Sequence, residues 1–316
     1  MTIDPFLFTC VGVGSDLPLL PHFVAHYRRL GVPPDRFRIL LNSIDANDPA
    51  LGKAREILKE EGISHVEDWI APYTSDTMWE ARRDLQSRHA GPDDWALSAD
   101  VDEFHTYPEP LSDFLAACDA MGIDVVQGVF IDRLASGGRL GSIEPTPFVL
   151  DQFPVEAEVG WSIAGQGEHH GFAGTLKLMA VRGKILPSRG GHNPLKGQKV
   201  SYLYGQPLHN FPHLKRPMER FRLPTQVHHL HWTDTLPQRL ERRLATPGVS
   251  PAGMEYGRKQ LDHIARHDGI ALDRVALRSD FASDDARRPW RKGVKRLRRI
   301  SLGHKLVGFV RWILGR

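Results

Sequence analysis

The first hundred residues alternate between strand-length apolar runs and helix-length amphipathic ones, a pattern that leaves a chain few folds. Residues 6–13 (FLFTCVGV) form an apolar run closed by Gly14, Ser15 and Asp16, the length of a buried strand. Leu20, Phe23, Val24, Tyr27 and Leu30 then recur at helical spacing, with a cap expected near Asp16 and a stop at Gly31. Residues 36–44 (RFRILLNSI) predict a second strand, 54–61 a helix and Val66–Ile70 a short strand. Residues 77–89 predict a helix capped by Ser75 or Asp76. Residues 95–99 (WALSA) then predict a buried strand that enters the acidic run Asp100-Val101-Asp102-Glu103. Alternation of this kind predicts a parallel sheet with helices on its faces. In such sheets ligands gather at the carboxyl ends of the strands. Asp16, Asn42, Asp45, Asp100 and Asp102 all fall at or just after such ends, so they are expected along one rim.

Beyond the acidic run, Leu111, Phe114, Leu115, Cys118 and Met121 have helical spacing and end at Gly122, and residues 123–131 read as another core strand. From 132 to 223 Gly and Pro become frequent and the periodicity loosens. Long loops of this kind are expected to build the acceptor side of a cleft. Helical patterns return at 236–244 and 254–267. The domain organisation expected is a main domain over 1–245, in two halves of 1–130 and 131–245, then a helical extension over 246–286 and a basic tail over 287–316.

Two carboxylates one residue apart at a strand end can face the same way and share a divalent cation. Mg²⁺ and Mn²⁺ favour carboxylate oxygens together with substrate phosphate oxygens. A cation held so can neutralise charge on a departing diphosphate. The competing reading of the same run is a solvated acidic turn. The buried strand before it, and Phe104 as a packing anchor after it, favour the metal and diphosphate reading.

The segment DDWALSADVDEF resembles the D-x-D-E-F signature of GT-A glycosyltransferases, in the bacterial proteins related to family 2 and family 92. The resemblance runs from about residue 5 to 245. VGVGSDLPLLPHFVAHYRRLGV is similar to the opening strand and helix of those enzymes, and RFRILLNSID to their second strand. VVQGVFIDRLASGG, DQFP, TLKLMAVRG, GGHNP and the pair His231-Trp232 follow in the family's order. Many relatives carry Asn-Glu where this chain has Gly14-Ser15-Asp16. The resemblance implies an α/β fold of GT-A type: a Rossmann-like, mostly parallel sheet flanked by helices, here with a basic C-terminal helical tail. It also implies a nucleotide-sugar donor, a UDP-sugar ahead of others, with Mn²⁺ or Mg²⁺ as cofactor. Asp102 would ligate the metal, and Asp100 would share it or contact the ribose. Asp16, Asn42 and Asp45 would read the base, and Arg82 or Arg83 would reach the ribose or phosphates. Transfer to a glycan or lipid-linked acceptor with inversion is the implied chemistry.

Sixteen histidines are present, and His169-His170, His192 and His228-His229-Leu230-His231 stand out. If 227–232 is a strand, His229 and His231 share a face and His228 points away. An H-x-H pair can ligate a metal or simply sit hydrogen-bonded near a sheet edge. The resemblance favours His231, then His229, then His228. A general base near the acceptor is usually a carboxylate. The candidates are Asp151, Asp132, Glu103, Glu156 and Glu168, with Asp151 first because it precedes the turn-like Gln152-Phe153-Pro154. Asp132-Arg133 reads equally as a structural ion pair.

Charge is distributed unevenly over the 316 residues. Residues 287–316 hold eleven Lys/Arg and no Asp/Glu, so the overall +3 leaves the first 286 residues at −8. The tail also carries Trp290, Val294, Leu297, Ile300 and the run LVGFVRWIL, too short to span ~30 Å of hydrocarbon. A basic, apolar-striped helix suits an anionic membrane surface, with docking on the acidic body as the alternative. Nucleic acid is not expected as a partner, since the body is acidic. Two distant cysteines, Cys10 and Cys118, exclude a disulfide framework, and with no leader or spanning run the expected location is the cytoplasm, peripheral to the membrane. Two other functions use the same residues. One is a metal-dependent phosphoesterase built on Asp100, Asp102 and the H-x-H pair. The other is a non-catalytic, membrane-associated carbohydrate-binding module. Gly12-Val13-Gly14 lacks the third glycine of a dinucleotide fingerprint.

Overall fold

A computed structural model describes residues 3–164, 172–246, 249–281 and 290–313. The first half follows the alternation: β1 (Phe6–Gly12), α1 (Leu20–Arg29), β2 (Phe37–Ser43), α2 (Pro49–Glu60), β3 (Val66–Ile70), α3 (Ser75–His89) and β4 (Trp95–Ser98). Strand β1 pairs in parallel with both β2 and β4, and β2 with β3. These strands read as continuous apolar runs because both faces are covered. Period-two alternation sorts the side chains. Leu7, Val11, Ile39 and Leu41 join Phe23, Tyr27 and Leu58 on one side, while Phe6, Phe8, Cys10 and Leu40 meet Met78, Trp79 and Leu85 on the other.

The helix ends are fixed locally. Gly31, at φ +96, ends α1 as expected. Helix α3 is capped by Thr74, one residue before Ser75 and two before Asp76. Thr74 is extended there, and its hydroxyl accepts from the Thr77 backbone N–H at 3.2 Å. Asp16 does not cap α1 with its side chain, which turns back to the Gly12 N–H at 2.9 Å. Cys10 and Cys118 are free and buried.

The second half runs β5 (Glu103–Thr106), α4 (Leu111–Ala120), β6 (Val125–Leu134), α5 (Val149–Gln152), β7 (Val155–Glu158), α6 (Val159–Ile163), β8 (Leu176–Arg182), α7 (Pro217–Phe221) and β9 (Gln226–His229). It closes with α8 (Leu236–Ala245), α9 (Pro251–His267), β10 (Ala276–Leu277) and α10 (Trp290–Ile313). The order across the sheet is β10-β7-β6-β8-β4-β1-β2-β3, with β9 beside β6 and β5 beside β9. Strand β8 is antiparallel to both β4 and β6, so the start of β8 and the end of β6 lie with the carboxyl end of β4. The loosely patterned stretch from 132 to 223 thus contributes β7 and β8 to the same sheet, along with long loops.

Helices α8 and α9 are not detached from the body. Leu236, Leu240, Ile270 and Val275 share an apolar cluster with Leu134, Ala157 and Trp232. Helix α10 packs Val294 and Leu297 into the main core. Among the described residues no helix is long and apolar enough to cross a membrane.

Candidate functional site

The acidic run is a tight turn between β4 and β5. Ala99 and Val101 are buried anchors, which sends Asp100 and Asp102 the other way. The turn is closed by the Glu103 N–H donating to the Asp100 carbonyl at 2.9 Å and by the Asp100 N–H donating to Glu103 Oε2 at 3.0 Å. The Leu230 N–H donates to the Asp102 carbonyl at 2.8 Å, tying the turn to the chain just past β9.

Behind the turn lies a block of four charges. Lys177, buried near the start of β8, sits 3.0 Å from Asp100 Oδ2 and 2.7 Å from Glu103 Oε1. Arg82 pairs with the other Asp100 oxygen and donates to the Phe8 carbonyl at 3.0 Å, Ser98 Oγ at 2.9 Å and the Ala99 carbonyl at 3.2 Å. Its guanidinium rests 4.3 Å from the Trp79 ring centroid. Burial alone would push the Asp100 carboxyl up, but Lys177 and Arg82 outweigh it and hold it well below the usual carboxylate range. Burial, with Asp100 alongside, pushes Glu103 up to about 7 against the pull of Lys177. Burial likewise works against the Lys177 ammonium, yet Asp100 and Glu103 together raise its pKa.

In front of the turn the donors are free to converge. Asp102 Oδ2 lies 3.7 Å from His229 Nε2, and the His229 and His231 rings stack at 5.1 Å and 14°. One ligand atom from each of Asp102, His229 and His231 falls within 4.8 Å of the others. The His229 ring is aimed from behind. Its Nδ1–H donates to Asp132 Oδ1 at 3.1 Å, and Asp132 Oδ2 accepts from the Val159 and Gly160 N–H groups at 2.7 and 3.1 Å. Burial would lower the His229 pKa, but the Asp132 hydrogen bond and the Asp102 charge raise it. Burial would raise Asp132, and His229 lowers it. His231 Nε2 lies 3.2 Å from Gln260 Oε1 of α9, and burial together with His229 keeps its pKa well below the ordinary value.

A second triplet, Asp100, Asp102 and Glu103, has the same compactness, but Arg82 and Lys177 already occupy both Asp100 oxygens and one of Glu103's. The set open to a cation is therefore one carboxylate with two imidazoles. Carboxylate behind imidazole is the arrangement that orients and strengthens a histidine ligand. Mixed nitrogen and oxygen donors fit Mn²⁺ better than Mg²⁺, which prefers oxygen throughout.

The other expected residues lie as follows. Asp16 is half-buried, holds the Gly12 N–H and the Ser15 hydroxyl (2.8 Å), and has its pKa raised to about 6 by burial and then by Asp102. The Asn42 amide is spent within the sheet, donating to the Trp69 and Ala71 carbonyls at 2.9 and 3.0 Å. Asp45 is exposed in the turn after β2 and accepts from the Asn47 N–H at 2.9 Å. Arg82 is enclosed, while the half-buried Arg83 donates to the Pro187 carbonyl at 3.3 Å. Asp151 is exposed on α5, where its charge reaches Arg133. Arg133 pairs with Glu156 at 2.6 Å rather than with its neighbour Asp132, and Arg278 takes the other Glu156 oxygen at 2.8 Å. His228 is buried on that side, 3.8 Å from Glu156. Glu168, His169 and His170 lie outside the described residues.

Lys177 and Gln260 were not anticipated. Lys177 had one signal, a lone lysine in the otherwise apolar LKLMAV strand. Gln260 had none, since only the docking of α9 brings it to His231.

No family model matches the chain, and no curated protein does. Among solved structures, Staphylococcus aureus TarS residues 1–349 superposes at a TM-score of 0.31 with 12% identity, covering 84% of this chain and 73% of that one. A longer S. aureus TarS structure gives 0.31 and 11%, covering 86% and 46%. Superpositions this loose support no statement about activity, and the site stands on its own geometry.

Proposed function

We propose that this protein transfers a sugar from a nucleotide-sugar donor, a UDP-sugar first, to a glycan or lipid-linked acceptor. Mn²⁺ would be held by Asp102, His229 and His231. The observation that carries this reading is the convergence of those three donors beside the strand-end turn, with Asp132 aiming His229. The D-x-D-E-F resemblance of the same turn supplies the reaction class. When bound, the cation would stabilise negative charge on the departing diphosphate. Asp100 acts in this proposal as a positioning residue. Its carboxylate, fixed by Arg82 and Lys177, sets the turn that presents Asp102. Asp132 and Glu103 are likewise occupied by partners, and Asp151, exposed on α5, stands with Arg133 and Glu156 rather than with the Asp102 donors, so no base is assigned among the described residues.

A thermal-shift screen of UDP- and GDP-sugars with and without Mn²⁺ tests the proposal. One donor should stabilise the protein only with metal, and acceptor-dependent release of the nucleoside diphosphate should follow. Hydrolysis of phosphoesters without sugar transfer would instead mark a metal-dependent phosphoesterase. If Asp102→Ala leaves Mn²⁺ and nucleotide binding unchanged, the carbohydrate-binding module becomes the better reading. Asp151→Asn should leave both transfer and donor binding unchanged, since Asp151 stands beside Arg133 and not beside the Asp102 donors.

A further inference from the structure

Helix α10 has a buried line and a bare one. Val294, Leu297 and Ser301 face the body, and the Trp290 ring lies 5.2 Å from Phe114. Ser301 sits so close to Gly205 that a Cβ there would come within 3.1 Å of its hydroxyl. Arg291, Lys292, Lys295, Arg296 and Arg299 are all exposed, and Arg298 is half-buried. Arg291 pairs with Glu109 at 3.3 Å, but among the described residues no carboxylate lies within salt-bridge distance of the other five. The rest of the chain is acidic, yet these cations have not turned onto it. Leu302, 60% exposed, falls on the Lys295–Arg299 stripe at i+7.

A groove of about 440 Å³ opens beside this stripe, lined by Lys199, Ser201, Arg298, Ser301 and Leu302. Asp124 at its edge is engaged by the Ser201 N–H at 2.9 Å and by Lys184 at 3.6 Å. Two cations, two hydroxyls and an exposed leucine in one recess suit a phosphodiester that has an acyl chain attached. We infer that the outer face of α10, with this groove, docks the protein on a bilayer containing anionic phospholipid. Charge attracts the surface, and the exposed Leu302 set in the basic stripe separates this partner from RNA or an acidic protein. The inference stands apart from the sugar-transfer reading, because the groove lies at the opposite end of β6 from Asp132. Eight residue steps along β6 separate Asp124, just before its start, from Asp132, roughly 26 Å.

Co-sedimentation of the full chain with vesicles tests it. The protein should partition onto phosphatidylcholine vesicles doped with phosphatidylglycerol, and not onto phosphatidylcholine alone. Replacing Lys292, Lys295, Arg296 and Arg299 together by Gln should weaken that partition on the order of a thousandfold, with the melting temperature unchanged. Leu302→Ser, which keeps every charge, should weaken vesicle binding while leaving heparin binding intact. Equal binding to neutral vesicles, no binding to anionic ones, full retention by both variants, or tighter binding to single-stranded RNA than to anionic vesicles would each overturn the inference.

Discussion

Lys177 neutralises the buried Glu103 and the part-exposed Asp100 with one ammonium, so Lys177→Met leaves Asp100 to Arg82 and strips Glu103 of its cation. Breaking a buried ionic cluster on one side costs about 3–5 kcal/mol. The variant should therefore show a clear fall in its urea midpoint even where its metal site is intact. Asp132→Asn should act differently. It keeps the shape of the pocket but removes the charge behind His229, and Mn²⁺ affinity measured by titration calorimetry should drop about 10–100-fold. An unchanged affinity would remove His229 from the ligand set. At this scale the sequence was legible in part. Asp100 and Asp102 announced themselves through spacing and a preceding apolar strand, and the H-x-H pair through its period. What was not legible was which groups are spent. Arg82, Asn42 and Glu103 look available in the sequence, and only the fold reveals their partners 16 to 74 positions away.

Among the elements, β6 is packed tightly at Gly128. A Cβ on Gly128 would lie 2.2 Å from Met179 Sδ and 2.9 Å from the Thr225 carbonyl, because β8 and the approach to β9 crowd that point. Gly128→Ala is expected to cost about 1–3 kcal/mol as overpacking, read as a lowered melting temperature with secondary structure retained. The strands read most easily, β1, β2 and β4, are buried on both faces, so composition alone marked them. Strands β7 and β8 were hidden for another reason. Each is short or interrupted by charge (Glu156, Glu158, Lys177, Arg182), and every one of those charges is paired by a distant residue. Helix α9 was visible as a helix, but its service to His231 comes from tertiary docking, which periodicity does not carry.

The whole molecule should be acid-sensitive. His26 is buried with its Nε2–H donating to the His105 carbonyl at 2.8 Å, and burial pushes its pKa down to about 4 from the ordinary 6.5. Burial also holds His105 well below its ordinary value. Between those limits the unfolded chain binds protons that the folded chain refuses. Stability present above about pH 6.5 is therefore lost as the pH falls towards 4. Asp16 and Glu103, raised to about 6 and 7, act the opposite way in the same window, so the test is the difference between chains: the melting temperature of His26→Gln should fall less steeply from pH 6.5 to 4 than that of the unsubstituted protein.

The two ends of β6 also divide the molecule into poles. One end carries the Asp102 donors through Asp132, and the other carries the α10 groove through Asp124. A protein moored by the second pole works at arm's length from its mooring. If both proposals hold, the two sites are separated by up to about 26 Å along β6, and an acceptor reached from the mooring would favour the outer end of a growing chain over a sugar placed directly on a lipid.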